Sequence, residues 1–251
     1  MILLFDVGNT HTHVGLADRT RIRRQTDLST QGWATGETGA TLLRWLGKSK
    51  PTSAAWCSVV PSATALIRSW IERTWGLDGL ELNHTNLVGV GVRYPKPQSI
   101  GPDRLANAVA VAHRYGAPAL VVDFGTAVTF DVVNASRMYV GGIIAPGLAA
   151  MTDYLHEKTA LLPRIRIREP KRVIGTSTEE AMLVGAVHGY RGLIKELIAE
   201  VKQELGCRTL PVVATGGYAE LMASRLPEIT AVDPLLTLDG LLVVARARGR
   251  S

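Results

Sequence analysis

Two short segments of this chain place an acid, a glycine and small hydroxyl or amide side chains directly after an apolar run. They are DVGNT at residues 6–10, after ILLF, and DFGTA at residues 123–127, after ALVV. Glycine allows close approach to the backbone, and successive N–H groups of such a turn can bind a phosphate. A carboxylate that ends a buried strand needs a cation or hydrogen-bond donors to offset its desolvation. Together the segments predict a site shared by a polyanion and cations.

Neither segment contains a lysine, and the chain has no G-x-x-x-x-G-K-[ST] phosphate-binding loop. Phosphate charge is therefore expected to be neutralised by metal ions or by a more distant basic residue. Asp6 is a candidate for holding Mg²⁺ through water, because Mg²⁺ keeps several waters and uses one or two carboxylates. Taken alone, either segment has a simpler interpretation as a turn that only reverses the chain.

The segment SIGPDR at residues 99–104 is a third candidate. Pro102 is expected to open a helix that Gly116 ends, and the helix dipole should keep Asp103 ionised. Such a helix start can bind a carboxylate ligand and present Asp103 to a hydroxyl as a weak base, which suits phosphoryl transfer. The alternative is that Asp103 only stabilises the N-terminus of the helix.

Other polar residues are weaker candidates. Thr178 follows Ser177, which fits an S/T-x-x-E capping box with Glu180, so a purely structural role stays open. His11 and His13 alternate on a predicted strand and face the same side, but no third metal ligand is evident. Whether these histidines contact phosphate or only pack stays open.

The elements that must position these residues alternate between strand and helix patterns. Strands are expected in four regions, which are 2–17, 53–60, 119–147 and 211–217. Helices are expected at 40–47, 64–76, 102–116, 178–205 and 238–249, with a further helical segment and a basic extended stretch before residue 178. Residues 88–102 are rich in glycine and proline and predict an extended loop.

The DVGNT and DFGTA frames stand about half the chain apart, each at the tip of a predicted β-hairpin. We therefore interpret the chain as two similar α/β halves, residues 1–116 and 117–251. A cleft between the halves would bring the two acid-bearing turns toward each other.

Composition limits the function classes. The chain has 251 residues, of which 46% are hydrophobic and 20% are charged. It has no run near the ~18–20 apolar residues of a membrane span and no basic leader. These features favour a cytoplasmic protein without membrane contact. Basic clusters at 19–24, 164–172 and 246–250 give a net charge of +6. They lack the interleaved aromatic residues and motifs of nucleic-acid binding, and an anionic small substrate explains them equally well. Cys57 and Cys207 lack metal-site spacing, and Cys57 is expected to be a small buried hydrophobe.

Ten motifs occur in a distinctive order along nearly the whole chain. They are DVGNT, SVVP (58–61), Tyr94-Pro95, GPDRLANAVA, DFGTAVTFD, GGIIAPG, TALLP (159–163), GTSTEEAM, TGG and PLLTLDGL. This combination resembles type III pantothenate kinase, a bacterial enzyme of coenzyme A biosynthesis. The resemblance implies two RNase H-like, actin-like ATPase halves of the acetate and sugar kinase/Hsp70/actin superfamily, with a nucleotide cleft between them. It also implies a homodimer that transfers the γ-phosphate of ATP to the terminal hydroxyl of pantothenate.

The resemblance also assigns residues. The nucleotide-binding residues it implies are Asp6, Val7, Gly8, Asn9, Thr10, His11, Thr12, His13 and Thr126. The pantothenate-binding residues it implies are Tyr94, Gly101, Pro102, Asp103, Arg104 and Thr178. Asp103 would be the proton acceptor, ATP would be used with Mg²⁺, and Asp123 would hold a monovalent cation, K⁺ or NH₄⁺, which agrees with the missing lysine.

Two other functions stay open on the sequence. The first is another small-molecule kinase of the superfamily, such as a sugar or acetate kinase, although these lack the GPDR-plus-GTST pairing. The second is an accessory regulatory factor of the same fold, which the basic clusters could suit. The intact carboxylates at positions 6, 103 and 123 favour an active kinase.

Overall fold

The computed structural model describes residues 1–248, which form strands and helices in alternation as predicted. Its contacts define two units. Unit 1 contains Met1–Gly116, Arg137–Val140 and the residues from Leu235 onward, and unit 2 contains Ala117–Ser136 and Gly141–Pro234. The last helix groups with unit 1, and the two halves 1–116 and 117–251 inferred from the sequence stay a prediction. Residues 249–251, with the end of the basic cluster 246–250, lie outside the described residues.

The sheet of unit 1 is built around a fully buried strand. Its strands are β1 (Ile2–Val7), β2 (His11–Ala17), β3 (Ile22–Ser29), β4 (Ser53–Ser58) and β5 (Leu80–Glu81), in the order β3-β2-β1-β4-β5. Strand β1 pairs antiparallel with β2 and parallel with β4. Because β1 is apolar on both faces, it needs cover on both sides, and the acid that ends it stands at the edge of the core.

Helices cover each face of this sheet. One face packs against α1 (Gly32–Thr35), α2 (Glu37–Leu46) and α3 (Pro61–Trp75) through an apolar cluster that includes Leu3, Phe5, Trp33, Leu42 and Ile67. The other packs against α4 (Pro102–Arg114) and α8 (Leu236–Arg248), which contact each other closely. A Cβ at Gly240 would overlap the backbone of Ala106, so glycine sets this helix crossing. This packing places α8 in unit 1.

The sheet of unit 2 repeats the hairpin-plus-parallel-strand arrangement. Its strands are β7 (Ala119–Phe124), β8 (Ala127–Val133), β9 (Met138–Pro146), β10 (Val212–Thr215) and β11 (Ala231–Val232), in the order β11-β10-β7-β8-β9. The first residues of β9, up to Val140, belong to unit 1, where they pair with a sixth strand, β6 (Gly91–Val92). Strand β7 pairs antiparallel with β8 and parallel with β10. Its helices are α5 (Leu148–Lys158), α6 (Thr178–Glu204) and α7 (Ala219–Ala223).

Two details differ from the predicted elements. Strand β3 was not predicted, because its residues are mostly exposed and polar and show no apolar alternation. The predicted extended loop contains a two-residue strand, β6 (Gly91–Val92), which pairs with the first residues of β9, and a short 3₁₀ helix at Pro97–Ser99. Among residues 1–248 no helix combines the length and apolarity needed to cross a bilayer.

Candidate active site

The turn between β1 and β2 is fixed from inside the fold. The Gly8 N–H donates to the His11 carbonyl at 2.9 Å, and the Thr30 hydroxyl donates to the Gly8 carbonyl at 2.7 Å. Asn9 and Thr10 at the tip are exposed, as is His11. A cavity of about 440 Å³ lies beside the tip and is lined by residues 9–11, 27–29 and Gln31. The turn therefore presents backbone and polar side chains to an open space.

Two residues of this segment face inward. Thr12 is fully buried, where its hydroxyl lies 3.0 Å from the Thr30 hydroxyl and accepts a hydrogen bond from the Trp33 indole at 3.2 Å. The side chain of Val7 is also fully buried. The side chains of Thr12 and Val7 thus hold the turn in place, while Asn9, Thr10 and His11 have the exposure that ligand binding requires.

Four polar residues form a row across four neighbouring strands. Asp6 on β1 is the register partner of His13 on β2 and of Cys57 on β4, and His13 is the register partner of Asp27 on β3. The His13 Nδ1 atom lies 2.6 Å from Asp27 Oδ1, and the Cys57 thiol donates to Asp6 Oδ1 at 3.4 Å. The carboxylate predicted to end β1 is therefore flanked by an imidazole and a thiol.

This surrounding alters the acidity of both Asp6 and Cys57. Burial raises the pKa of Asp6 from 3.8 to about 6; the negative charge of Asp103 adds to this rise, while His13 and the Cys57 hydrogen bond oppose it. Burial also raises the pKa of the Cys57 thiol, helped by the two carboxylates. Cys57 is buried as expected, but it is also a hydrogen-bond donor to a candidate site residue.

Asp103 lies at the N-terminus of α4, as predicted. Gly101 is the residue before the helix and Pro102 is its first residue. The Asp103 carboxylate accepts a hydrogen bond from the Arg104 backbone N–H at 2.9 Å. A Cβ at Gly101 would lie well inside 3.0 Å of Asp103 Oδ1, so only glycine permits this placement of the carboxylate. The motif thus fixes one acid at a helix start.

The predicted acidity of Asp103 is corrected by the structure. The helix dipole was expected to keep this group ionised and weakly basic. Instead, burial raises the pKa of Asp103 above 3.8, against the lowering effects of the Arg104 and Asp103 backbone N–H groups and of the Arg104 charge. Desolvation of the charged form outweighs the N-terminal field. Asp103 is therefore a stronger base than the sequence predicted.

Tyr94 and Arg104 both lie near the ring of Tyr139. Tyr94 is 39% exposed and its ring centroid lies 6.3 Å from that of Tyr139, while the Arg104 guanidinium carbon lies 5.9 Å from the Tyr139 centroid. Asp103, Arg104 and Tyr94 all belong to unit 1, together with Asp6. The structure thus places the predicted base, two predicted substrate residues and the first turn in one unit.

The second predicted turn joins β7 and β8 in unit 2. Gly125 and Thr126 are exposed at its tip. Asp123 lies two residues before Gly125, on β7, and is half-buried. Two glycines approach this turn so closely that a Cβ would overlap it. A Cβ at Gly216, which has φ +88°, would lie 2.6 Å from Asp123 Oδ1, and one at Gly147 would overlap the Gly125 and Thr126 carbonyls.

The groups around Asp123 suit a hard cation. A carboxylate and the backbone carbonyls of residues 125 and 126 are oxygen donors, which alkali and alkaline-earth ions prefer over the nitrogen and sulfur donors of transition metals. Within the described part of the chain no cluster of three or more His, Cys, Asp or Glu residues could hold a metal ion. The Asp123 carboxylate and the carbonyls of this turn are thus the kinds of donor that a hard cation prefers.

Thr178 is the first residue of α6, and it is exposed. The predicted cap before it is confirmed: the Ser177 hydroxyl accepts from the Glu180 N–H at 3.2 Å. The Glu180 carboxylate accepts from the Thr176 N–H and hydroxyl, each at 2.8 Å, and the Thr176 N–H lowers the Glu180 pKa. Capping is therefore the task of Ser177 and Glu180.

Sequence reasoning missed Asp27 and Tyr139 entirely. Asp27 lies on the unpredicted edge strand β3, and only the register of β3 with β2 brings it to His13. Tyr139 is a strand aromatic whose pattern indicates a core position, which it occupies. Neither sequence neighbourhood carries a signal that links these residues to the site.

Comparisons with known proteins agree on one family. A sequence model of the family described as type III pantothenate kinase matches residues 2–200. A type III pantothenate kinase of Akkermansia muciniphila is 54% identical over 189 residues, covering 75% of this chain and 76% of that protein. One of Methylacidiphilum infernorum is 42% identical over 246 residues, covering 97% and 87%.

Solved structures confirm the fold class. A Campylobacter jejuni protein described as a Baf family transcriptional activator aligns with a TM-score of 0.64 at 18% identity, covering 99% of this chain and all of that one. The ROK hexokinase of Thermus thermophilus aligns with a TM-score of 0.51 at 16% identity, covering 97% of each chain. At these identities the likeness shows the fold alone, an α/β fold with two sheets that this chain shares with a sugar kinase, as predicted.

Proposed function

This chain belongs to the type III pantothenate kinase family, and we propose for it a mechanism in which Asp103 accepts the proton of the attacking hydroxyl. It catalyses the ATP-dependent phosphorylation of pantothenate to 4′-phosphopantothenate, the first step of coenzyme A biosynthesis. The activity predicted from the motifs is thereby confirmed at the level of the family. The roles of individual residues are the proposal.

In this mechanism the terminal hydroxyl oxygen of pantothenate attacks the γ-phosphorus of ATP. The bond from that phosphorus to the oxygen bridging the β- and γ-phosphates breaks, ADP leaves, and the hydroxyl proton passes to the Asp103 carboxylate. The transition state is loose, so the protein contributes mainly by positioning and by electrostatic stabilisation. A base with a raised pKa suits this task better than an ordinary surface aspartate.

The observation that carries the proposal is the placement of Asp103. The carboxylate is held by the Arg104 N–H at a helix start that only Gly101 permits, and its charge acts on Asp6 at the first turn. The predicted base and the predicted phosphate turn are therefore close enough to interact electrostatically. Transfer of a phosphoryl group to a hydroxyl needs the base and the phosphate-binding turn near each other, and this proximity supports the proposal.

Nucleotide and cation roles follow from the two turns. We propose that residues 6–13 bind ATP through backbone groups and the exposed side chains, with Thr126 as a second contact. Asp6 would hold Mg²⁺ through water, and Asp123 with the adjacent carbonyls would hold K⁺ or NH₄⁺. When bound, these cations supply the positive charge that neither turn provides from a lysine. An acid of raised pKa, such as Asp6, is the kind of group that a nearby cation would return to its ionised form.

Pantothenate would be bound by Tyr94, by the helix start from Gly101 to Arg104, and by Thr178. Arg104 supplies charged donors, and the exposed hydroxyls of Tyr94 and Thr178 can donate to or accept from the substrate. Gly101 and Pro102 would shape the backbone there. Ser177 and Glu180 carry the capping bonds, and we assign the exposed Thr178 side chain to the substrate.

We further propose that the enzyme works as a cytoplasmic homodimer. Support comes from large apolar side chains that are exposed on α5 and on the segment that follows it in unit 2. They are Met151, Tyr154, Leu155, Leu161, Val173 and Ile174. Large apolar side chains that are exposed in such number are typical of a protein that binds another protein surface. Sedimentation or light scattering of the purified protein tests the dimer.

The mechanism is tested by Asp103→Asn, which keeps the shape of the side chain and removes its basicity. We expect kcat to fall by about 10²–10⁴-fold, the usual contribution of a general base, with the KM for ATP little changed. Asp78→Asn, at an exposed acid away from these residues, is the matched control. If the Asp103 variant turned over pantothenate at the wild-type rate, the proposed role of Asp103 would be wrong.

A further inference from the structure

We propose that Tyr139 is a positioning residue for pantothenate binding, because its buried ring holds Tyr94 and Arg104 in one arrangement before the substrate arrives. This inference rests on the proposed function, which assigns those two side chains to the substrate. It adds a residue that lies outside every family motif named above, two positions before GGIIAPG.

Tyr139 is the second residue of β9 and is fully buried in unit 1. The Tyr94 ring is inclined to it by 59° at a centroid distance of 6.3 Å, within the range of favourable aromatic pairs. The Arg104 guanidinium carbon lies 5.9 Å from its centroid, within the range of a cation–π contact. One ring thus touches an aromatic and a cationic side chain from two separate segments of the chain.

The backbone fixes this ring relative to the loop that carries Tyr94. The Arg93 N–H donates to the Tyr139 carbonyl at 2.9 Å, and Val92 is the register partner of Tyr139. Gly91 lies so close to Met138 that a Cβ there would come within 2.6 Å of the methionine sulfur. Residues 91–94 are therefore held against β9 and cannot move independently of Tyr139.

The same stretch of chain is tied to the helix that carries Arg104. The Arg137 guanidinium, two residues before Tyr139, donates to the Ala112 carbonyl of α4 at 3.0 Å. The chain from 137 to 139 thus connects two segments that are distant in sequence, the Tyr94 loop and helix α4. The Tyr139 side chain lies near both proposed substrate-binding residues, Tyr94 on the loop and Arg104 on α4.

Such a contact acts on binding more than on the chemical step. A free arginine side chain loses rotamer freedom when it binds a ligand, and a partner that restricts it beforehand reduces that loss. Tyr139 does not touch the reacting atoms, and Asp103 is held separately by Gly101 and the Arg104 N–H. Its removal should therefore raise the KM for pantothenate and leave kcat nearly unchanged.

The test is Tyr139→Leu, with Tyr139→Met as a second variant of similar volume whose unbranched, flexible side chain can adapt to the same space without an aromatic face. We expect the KM for pantothenate to rise by about 3- to 30-fold, the range of a lost cation–π contact, with the KM for ATP and kcat within about twofold of wild type. Tyr139→Phe keeps the ring and should restore the wild-type KM for pantothenate.

The matched control is Phe130→Leu, which truncates an equally buried strand aromatic in unit 2. It should lower the melting temperature to a similar extent without raising the KM for pantothenate selectively. The inference is overturned if Tyr139→Leu or Tyr139→Met, when folded, keeps the wild-type KM for pantothenate, or if Phe130→Leu raises it equally. A wild-type protein that does not phosphorylate pantothenate would instead overturn the proposed function, a result distinct from either of these.

Discussion

Replacing Gly101 with alanine tests whether catalysis depends on the position of the Asp103 carboxylate. The backbone of Gly101 has φ −55° and ψ 131°, an ordinary extended conformation that alanine adopts without strain. The added Cβ would nevertheless overlap Asp103 Oδ1, well inside 3.0 Å. Because that oxygen is the end of a side chain, the carboxylate can move aside and the fold is expected to survive. The perturbation therefore falls on the geometry of the proposed base.

The size of the effect follows from the overlap. Restoring ordinary contact, which begins at 3.4 Å, requires the carboxylate oxygen to shift by about 1 Å. A misplacement of this size can lower a rate by about 10²-fold, equivalent to about 2.7 kcal/mol in the activation free energy. We therefore expect kcat of Gly101→Ala to fall by about two orders of magnitude, with a melting temperature close to that of wild type.

The assay is steady-state ADP release with pantothenate as acceptor, together with thermal unfolding. Gly185→Ala is the matched control, since Gly185 lies inside α6 with nothing within 4 Å of its added Cβ. That variant should keep wild-type kcat and gain about 0.5–1 kcal/mol of stability. A Gly101→Ala enzyme with wild-type kcat would refute the reasoning, because the base would then tolerate a displaced carboxylate.

Two further predictions concern the acids of the two turns. Since burial raises the folded pKa of Asp6 from 3.8 to about 6, the free energy of unfolding without ligands should fall as pH rises from 4 to 6, by at most about 3 kcal/mol from this group, and stay level above. Asp6→Asn should remove that decline in urea titrations at pH 4 and 7, whereas an unchanged difference would contradict the raised pKa. Gly216→Ala, whose Cβ would approach Asp123 Oδ1, should raise the K⁺ concentration for half-activation. Gly206→Ala has a comparable positive φ without that contact and should only lose stability, so equal K⁺ dependence of both variants would count against Asp123 as the cation site.

Local patterns predicted most of the fold. The apolar run before Asp6, the proline and glycine around α4, and the capping pair at Ser177 and Glu180 each specify structure within a few residues of themselves. Strand β3 was missed because an exposed edge strand has no apolar alternation to detect. The packing of the last helix against α4 depends on the close approach of Gly240 to Ala106, which no local pattern in the sequence shows.

The candidate site was predictable where chemistry and spacing coincide, and not where strand register creates the contact. The motifs identified the acids, the glycines and the hydroxyls, and the structure places Asp6 and Asp103 in the same unit. The pairing of His13 with Asp27 requires β2 and β3 to be aligned in register, and the pairing of His13 with Asp6 requires the same of β1 and β2. The acidity of Asp103 was predicted in the wrong direction, because burial depends on tertiary packing that a helix-start motif does not show.

The raised pKa values of Asp6 and Asp103 give a physical reason for the Mg²⁺ dependence that we propose at Asp6. Each carboxylate is desolvated, and the charge of Asp103 adds to the cost of ionising Asp6. His13 lowers the pKa of Asp6, but it does not cancel the effect of burial. A bound cation would offset the remaining unfavourable free energy of ionising Asp6. A lysine in the turn would instead neutralise the carboxylate permanently, and its ammonium group would then be shared between the carboxylate and the phosphate. By linkage, cation binding should release protons near pH 6, so the affinity for the cation should increase as pH rises through that region.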